Sequence, residues 1–497
     1  MRSGVILAVD QGTTNTKALL VDTSGLPIFR TSAPVPLSTP HDGIVEQDPL
    51  VLWESVQRAI ATAIRYTSER NATVEAIAIS NQRETALAWN AETGEPLGNA
   101  VSWQCNRSAG ICERLASHAP CIRAKTGLPL APLISASKWA WLLENDARVQ
   151  TACRQGVLRL GTVDSWLIHK LSGGKSYATD LTNASRTGLL NLESLAWDRD
   201  LLALFEIPKA VMPKLHSSSG ELGICNAIAE LIGVPILAAI GDSHAAMFGH
   251  GRFSHTSIKA TYGTGSSLMA LTKGLSSDTS ALARTIAWSI RGVTQFALEG
   301  NIAMTGAAVQ WLGEFLGFAN PANQVAHLAT SVSDSGGVYF VPAMVGLGAP
   351  HWDAGARGAI IGLGRGHTSA HVAHAVLEAI AYQVADVFFA MESAAGVEFV
   401  QLRADGGATR NNMLMQFQAD ILSRPVVRSE NEELSALGAA WLGGLALCWW
   451  KSAADLESIA NEGEVFAPAM AGERRTTLYA GWTKAVARVR TSQEVQP

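Results

Sequence analysis

An apolar run over residues 5–9 stops at Asp10, turns through Gly12 and two threonines, and gives way to a second apolar run over 18–21. Continuous apolar runs of this length predict buried strands. The Asp22-Thr23-Ser24-Gly25 stretch beyond them is turn chemistry. Residues 10–14 are therefore expected to form a tight turn between two strands. The same layout returns about half the chain later, as an apolar strand ending at Tyr262, a Gly263-Thr264-Gly265-Ser266 turn and a strand from Ser267 to Leu271. A third glycine turn, Asp405-Gly406-Gly407-Ala408, follows a strand over 399–404 and precedes a helix beginning near Asn411.

Between these turns, Asp48-Pro49 caps a predicted helix with Trp53, Val56, Ile60 and Ile64 on one face. Strands are expected over 74–80, 158–162 and 234–240, and a helix over 137–145. A long helix over 370–393 carries Val372, Val376, Ile380 and Val384 on one stripe. Alternating strands and helices imply α/β layers. No low-complexity linker separates the halves, so residues 1–246 and 247–497 are expected to pack as two domains around a shared cleft.

The turns change this picture from architecture to chemistry. Glycine lets the backbone approach an anion, and N–H and hydroxyl groups cradle phosphate. The Asp10 carboxylate suits Mg²⁺ held partly through water. The first turn alone is equally ordinary hairpin chemistry. Its second copy and the Gly-Gly turn point to a nucleotide held between related halves. No Gly-Lys-Ser/Thr stands at Walker A spacing, and the Rossmann fingerprint is also missing.

Composition narrows the class. The chain has 497 residues, 47% apolar and 16% charged, beyond the size of one ordinary core. A net charge of −5 without a basic cluster argues against nucleic-acid or polybasic membrane partners. No apolar run approaches the roughly 18 residues of a membrane span, and no signal peptide is read at the N-terminus. The six cysteines (105, 112, 121, 153, 225 and 448) form no C-x-x-C pair, which fits a reduced, cytoplasmic protein without disulfides or zinc.

Several motifs in order resemble one family nearly end to end. They include Asp10-Gln-Gly-Thr-Thr14, Asn81-Gln-Arg-Glu-Thr85, Trp103-Gln-Cys105, Thr126-Gly-Leu128 and Gly161-Thr-Val-Asp164. Thr182 to Thr187, Gly241-Asp242, Thr261-Tyr-Gly-Thr-Gly265, Gly346 to Pro350, Asp405-Gly-Gly-Ala408 and Asn411-Asn412 complete the series. The chain resembles the FGGY carbohydrate kinases, closest to their glycerol kinase branch. The resemblance implies two actin-like, ribonuclease H-like domains flanking a nucleotide cleft. It also implies ATP-dependent, Mg²⁺-assisted transfer to a primary hydroxyl of glycerol or a related small polyol.

By that resemblance Asp242 is the catalytic base, although Gly-Asp before Ser-His-Ala-Ala is also an ordinary helix N-terminus. Arg83 and Glu84 match the pair that grips acceptor hydroxyls, and otherwise read as a solvated ion pair. Trp103 matches the pocket's aromatic wall, where its residue type alone reads as core. Thr13, Thr14, Asn15, Lys17 and Thr264 are assigned to phosphates, and Gly306, Gln310, Gly407 and Asn411 to the adenosine and ribose side. Asp10 is assigned to the metal. The cysteines and Trp449-Trp450 are read as core, and 474–490 as a solvated helix face.

The pocket departs from the branch pattern at Leu133, Ser243 and Ser267, which stand where Tyr, Gln and an aromatic are usual. Less bulk makes a four- or five-carbon polyol or ketose (erythritol-, erythrulose- or xylulose-like) the alternative acceptor. A non-metabolic ATPase or sensor of the actin/Hsp70 kind is the alternative from another class, and a homo-oligomer is left open.

Overall fold

In the computed structural model, residues 3–275, 281–460 and 462–491 are described. Thirteen strands form one continuous sheet that runs through both halves. In the N-terminal half, Ser3–Gln11 pairs antiparallel with Asn15–Asp22 and parallel with Ala72–Asn81. In the C-terminal half, Ser257–Tyr262 pairs antiparallel with Ser266–Thr272 and parallel with Gln401–Asp405. The next neighbours repeat the scheme. Pro235–Gly241 lies parallel to Ala72–Asn81, and Val426–Arg428 lies parallel to Gln401–Asp405. The structure is thus duplicated at the level of strand pairing. The halves join through one registered pair, Ser219 with Ile290, between Ser219–Ile224 and Ala283–Ile290.

Local chemistry explains the element boundaries. Asp48 accepts from Leu50 N at 2.8 Å and starts the helix Pro49–Glu69. Asn411 accepts from Leu414 N at 3.1 Å and starts Asn412–Leu422. The strands expected over 74–80 and 158–162 appear as Ala72–Asn81 and Leu158–Gly161. The helix expected from 137 starts two residues earlier, as Ser135–Asn145.

Two helices meet beneath the cleft. Asp242–Gly249 packs against Leu434–Ala446 so closely that a Cβ at Gly438 would stand 1.9 Å from the Ala245 carbonyl oxygen. The boundary expected between 246 and 247 lies within the first of these helices.

Several expectations need correcting. The helix Ser369–Ala395 is long and apolar enough to cross a membrane, but its most apolar part is 83% buried inside the fold, as a core helix is. Cys105, Cys112 and Cys225 are buried, whereas Cys121 and Cys448 are exposed, so not all six belong to the core. Trp450 is buried. Trp449 is only half-buried, and its indole donates to Glu75 at 3.3 Å. The C-terminal helix Gly472–Val489 is solvated on one face only. Trp482, Ala485 and Val486 are buried, and Trp482 Nε1 donates to Asp386 at 2.8 Å.

Candidate functional site

The C-terminal ends of the parallel strands in both halves face one cleft, the usual place for a ligand in an α/β sheet. Asp10 pairs with Ser80 in register, and Gly241, one residue before Asp242, pairs with Asn81. On the other side Thr261 pairs with Asp405. Three strand ends therefore deliver Asp10, Asp242 and Asp405 towards the cleft.

The first turn closes through Gly12 N donating to the Asn15 carbonyl at 2.9 Å. Thr14 and Asn15 are exposed there. The Thr13 hydroxyl accepts from Trp103 Nε1 at 3.0 Å, which ties the turn expected to meet phosphate to the aromatic side chain expected to wall the acceptor. Trp103 is 37% exposed, so it is not core. Lys17 is engaged across the cleft, with its ammonium 2.7 Å from Glu433 of the C-terminal half. Burial alone would lower the Lys17 pKa, but Glu433 more than offsets this and raises it.

The second turn is braced by Gly306 N and Thr305 N, which donate to the carbonyls of Gly263 and Thr264 at 3.0 and 3.1 Å. A cavity of about 870 Å³ opens beside it, lined in part by Thr264, Gly306, Gln310, Gly407 and Asn411. The residues expected on the adenosine and ribose side thus converge on one cavity, whose apolar wall includes Leu377 and Ile380. Gly406 has φ +96°, and a Cβ there would stand 2.5 Å from the Tyr262 carbonyl oxygen, so this turn requires glycine.

Asp242 is the first residue of its helix, but its side chain does not cap the end in the usual way. Oδ1 accepts from Ser243 N at 2.6 Å and from Arg83 Nε at 3.1 Å. Burial raises its pKa and Arg83 opposes the rise, although the side chain keeps 38% of its surface exposed. Ser243 lines a cavity of about 100 Å³ with Asp242, Thr261, Asp405 and Ser435. Asp10 is buried and accepts from the Ser80 hydroxyl at 2.9 Å. Its carboxyl is pushed up to about 6, mainly by burial, with Lys17 opposing. Among the described residues no cluster of three His, Cys, Asp or Glu side chains is placed to hold a metal. A single buried carboxylate beside a glycine- and hydroxyl-rich turn fits Mg²⁺, which keeps waters and takes other ligands from phosphate.

Arg83 and Glu84 are not a surface pair. Their side chains are 10% and 6% exposed, and each is bound elsewhere. Arg83 Nη1 donates to Glu299 at 2.7 Å, and Glu84 accepts from Arg186 Nε at 2.6 Å. Glu84 has φ +61°, a conformation non-glycine residues seldom hold without surrounding support. Its carbonyl accepts from the Ser135 hydroxyl at 3.0 Å. The Leu133 carbonyl accepts from the buried ammonium of Lys138, whose pKa burial pushes down to about 7. Leu133 thus lies in the segment that supports Glu84. The Ser267 hydroxyl donates to Glu299 at 3.1 Å. Glu299, Arg186 and Glu433 were not singled out from the sequence. The available signal was a lone acid in the apolar stretch Ala297-Leu298-Glu299-Gly300, since a buried charge demands a partner.

Comparison with known proteins bears on the family and the fold. The model of the FGGY family of carbohydrate kinases, N-terminal domain, matches residues 5–249, and that of the C-terminal domain matches 258–447. A glycerol kinase of Symbiobacterium thermophilum is 46% identical over 494 residues, covering 99% of each chain. An apulose kinase of Pectobacterium atrosepticum is 44% identical over 499 residues, covering 99% of this chain and 100% of its own. The crystal structure of Plasmodium falciparum glycerol kinase with ADP superimposes with a TM-score of 0.92 at 30% identity, covering 100% of this chain and 99% of that one. With both family domains matched in order across one cleft, the chain belongs to the FGGY family of carbohydrate kinases.

Proposed function

We propose that this chain transfers the γ-phosphate of ATP to a primary hydroxyl of glycerol or a closely related small polyol, with Asp242 as the base. The observation that carries this reading is the Asp242 carboxylate, 38% exposed, held by Arg83 at 3.1 Å and lining a cavity of about 100 Å³ with Ser243, Thr261 and Asp405. Asp242 takes the proton of the attacking hydroxyl. The new bond forms between that oxygen and the γ-phosphorus, the bond to the bridging oxygen breaks, and ADP leaves. Arg83 and Glu84 orient the acceptor hydroxyls against the Trp103 wall. Thr13, Thr14, Asn15, Lys17 and Thr264 bind phosphates, and Lys17 exchanges Glu433 for phosphate when nucleotide enters. Gly306, Gln310, Gly407 and Asn411 bind adenosine. Asp10 would hold Mg²⁺, which when bound neutralises charge on the phosphate oxygens. The domain division at 246/247 and a cytoplasmic setting belong to the same reading, the latter supported by six unpaired cysteines.

A second acceptor reading rests on Ser267. Its hydroxyl turns to Glu299, where an aromatic side chain would fill the pocket. That favours an acceptor of four or five carbons, and the similar apulose kinase is consistent with such a shift.

Replacement of Asp242 tests the proposal. Asp242→Asn is expected to keep nucleotide affinity and lose about 10²–10⁴-fold in kcat, the usual contribution of a positioned base. A variant with near-normal kcat would remove Asp242 from the mechanism.

A further inference from the structure

Glu299 lies in the strand Val293–Ile302 of the C-terminal half, and its side chain has 0% exposure. Its two oxygens are held by arginines of the N-terminal half. Oε1 accepts from Arg83 Nη1 at 2.7 Å, and Oε2 stands 2.6 Å from Arg186 Nη1. Arg186 passes the connection on to Glu84 at 2.6 Å. The neighbouring residues Arg83 and Glu84 thus reach the same carboxylate by opposite routes, one directly and one through Arg186. Arg83 also holds Asp242 at 3.1 Å, so the chain of contacts runs from the proposed base to the far side of the acceptor pocket.

Charge makes this arrangement stiff. Burial alone would raise the Glu299 pKa, but Arg186 and Arg83 hold it well below the carboxylate range, so it stays ionised. Asp242, Glu84 and Glu299 face two arginines. Lys259, 3% exposed and without a hydrogen-bond partner among the described residues, lies near Asp405, Arg83, Asp242 and Glu299, and burial lowers its pKa. His244 stays neutral, because burial and then Arg83 push its pKa far down. Removing one member of such a buried set leaves its partners uncompensated. Arg83 Nη2 makes no hydrogen bond among the described residues, which leaves that donor for an acceptor hydroxyl.

We infer that Glu299 is a positioning residue for the acceptor. It fixes Arg83 and Glu84 from the opposite half, and so makes acceptor recognition depend on how the two halves are placed. The inference rests on the proposed role of Arg83 and Glu84. It predicts reciprocal coupling, because a nucleotide that sets the position of the C-terminal half also sets Glu299.

The test is calorimetric binding of glycerol to the full chain, with and without a non-hydrolysable ATP analogue, alongside steady-state kinetics. In the wild type the analogue should tighten glycerol binding about fivefold or more. Glu299→Gln should raise the glycerol KM about tenfold or more, leave the ATP KM within about twofold, and reduce the coupling towards unity. Should Glu299→Gln fail to fold, Arg186→Lys keeps the charge but loses the planar fork, and should show the same split. A folded variant with wild-type glycerol KM and intact coupling overturns the inference, even if its Tm falls. A wild type that neither binds glycerol nor releases ADP in its presence overturns both the acceptor reading and this inference. That result is distinguishable because it appears before any substitution is made.

Discussion

Asp10 and Asp242 stand at the ends of the two strands that flank Ala72–Asn81, and burial raises the pKa of both carboxyls, yet their surroundings fit them for different work. Asp242 has an arginine at 3.1 Å and an opening to the cleft. Among the described residues Asp10 has only the Ser80 hydroxyl as a hydrogen-bond partner, and burial pushes its carboxyl up to about 6 against 3.8 unperturbed. Between these values the folded chain holds a proton that the unfolded chain has lost. Stability therefore declines as pH rises through the window, and the cost is fully present above about pH 6. Asp10→Asn is expected to raise the Tm of the ligand-free protein at pH 7.5, by the equivalent of about 1–3 kcal/mol, and to leave stability near pH 4 almost unchanged. Thermal unfolding at the two pH values checks this, and the sign would be reversed if Asp10 were a stabilising ion-pair member. The same variant should lose Mg²⁺-dependent activity.

Residue-scale reading from sequence reached as far as local chemistry allows. Asp10 and Asp242 were legible as strand-end carboxylates because each ends an apolar run, but Asp242 read equally as a helix N-terminus and its role came from the family resemblance. Glu299 was not, because its partner Arg83 lies 216 residues away and only the folded sheet brings them together. Lys17 illustrates the same limit. Its position beside the first turn was readable, but its pairing with Glu433 depends on the loop that precedes Leu434–Ala446.

At the scale of elements, the turns were the most readable features, since the layout of glycine and hydroxyl residues between apolar runs recurs, although one such turn alone is ordinary hairpin chemistry. The 405–408 turn shows why. Its backbone at Gly406 occupies φ +96° with the Tyr262 carbonyl in the place of a side chain. Gly406→Ala is expected to cost about 1–3 kcal/mol of stability from strain alone. It should also raise the ATP KM, because Gly407 and Asn411 follow directly and line the 870 Å³ cavity. Chemical denaturation and ATP titration measure the two effects. Unchanged ATP affinity would separate this turn from the nucleotide site. Helix ends were less readable. Charge dominates 474–490 and predicts a solvated helix, yet Trp482 anchors it through Asp386. A single aromatic on a polar helix decides which face is buried, and composition averages it away.

For the molecule as a whole, duplicated strand pairing builds two opposed sets of strand ends, and the cleft between them is where both halves contribute polar groups. Ion pairs also cross it. Arg30 contacts Glu432 at 3.2 Å and Lys17 contacts Glu433 at 2.7 Å. The exposed Arg30 pair adds little stability. Lys17–Glu433 matters more for what it occupies, since it fills a cation expected to meet phosphate. The proposed acceptor role of Arg83, Glu84 and Trp103 beside Asp242 would have no use in an ATPase that only binds nucleotide and moves. The most direct measurement is coupled ADP release with ATP and Mg²⁺ across glycerol, erythritol, threitol, erythrulose and the pentuloses. The account predicts release that depends on acceptor, with at least one of these small polyols or ketoses turned over and one ADP formed per acceptor phosphorylated. ADP release at the same rate with and without every acceptor would contradict it.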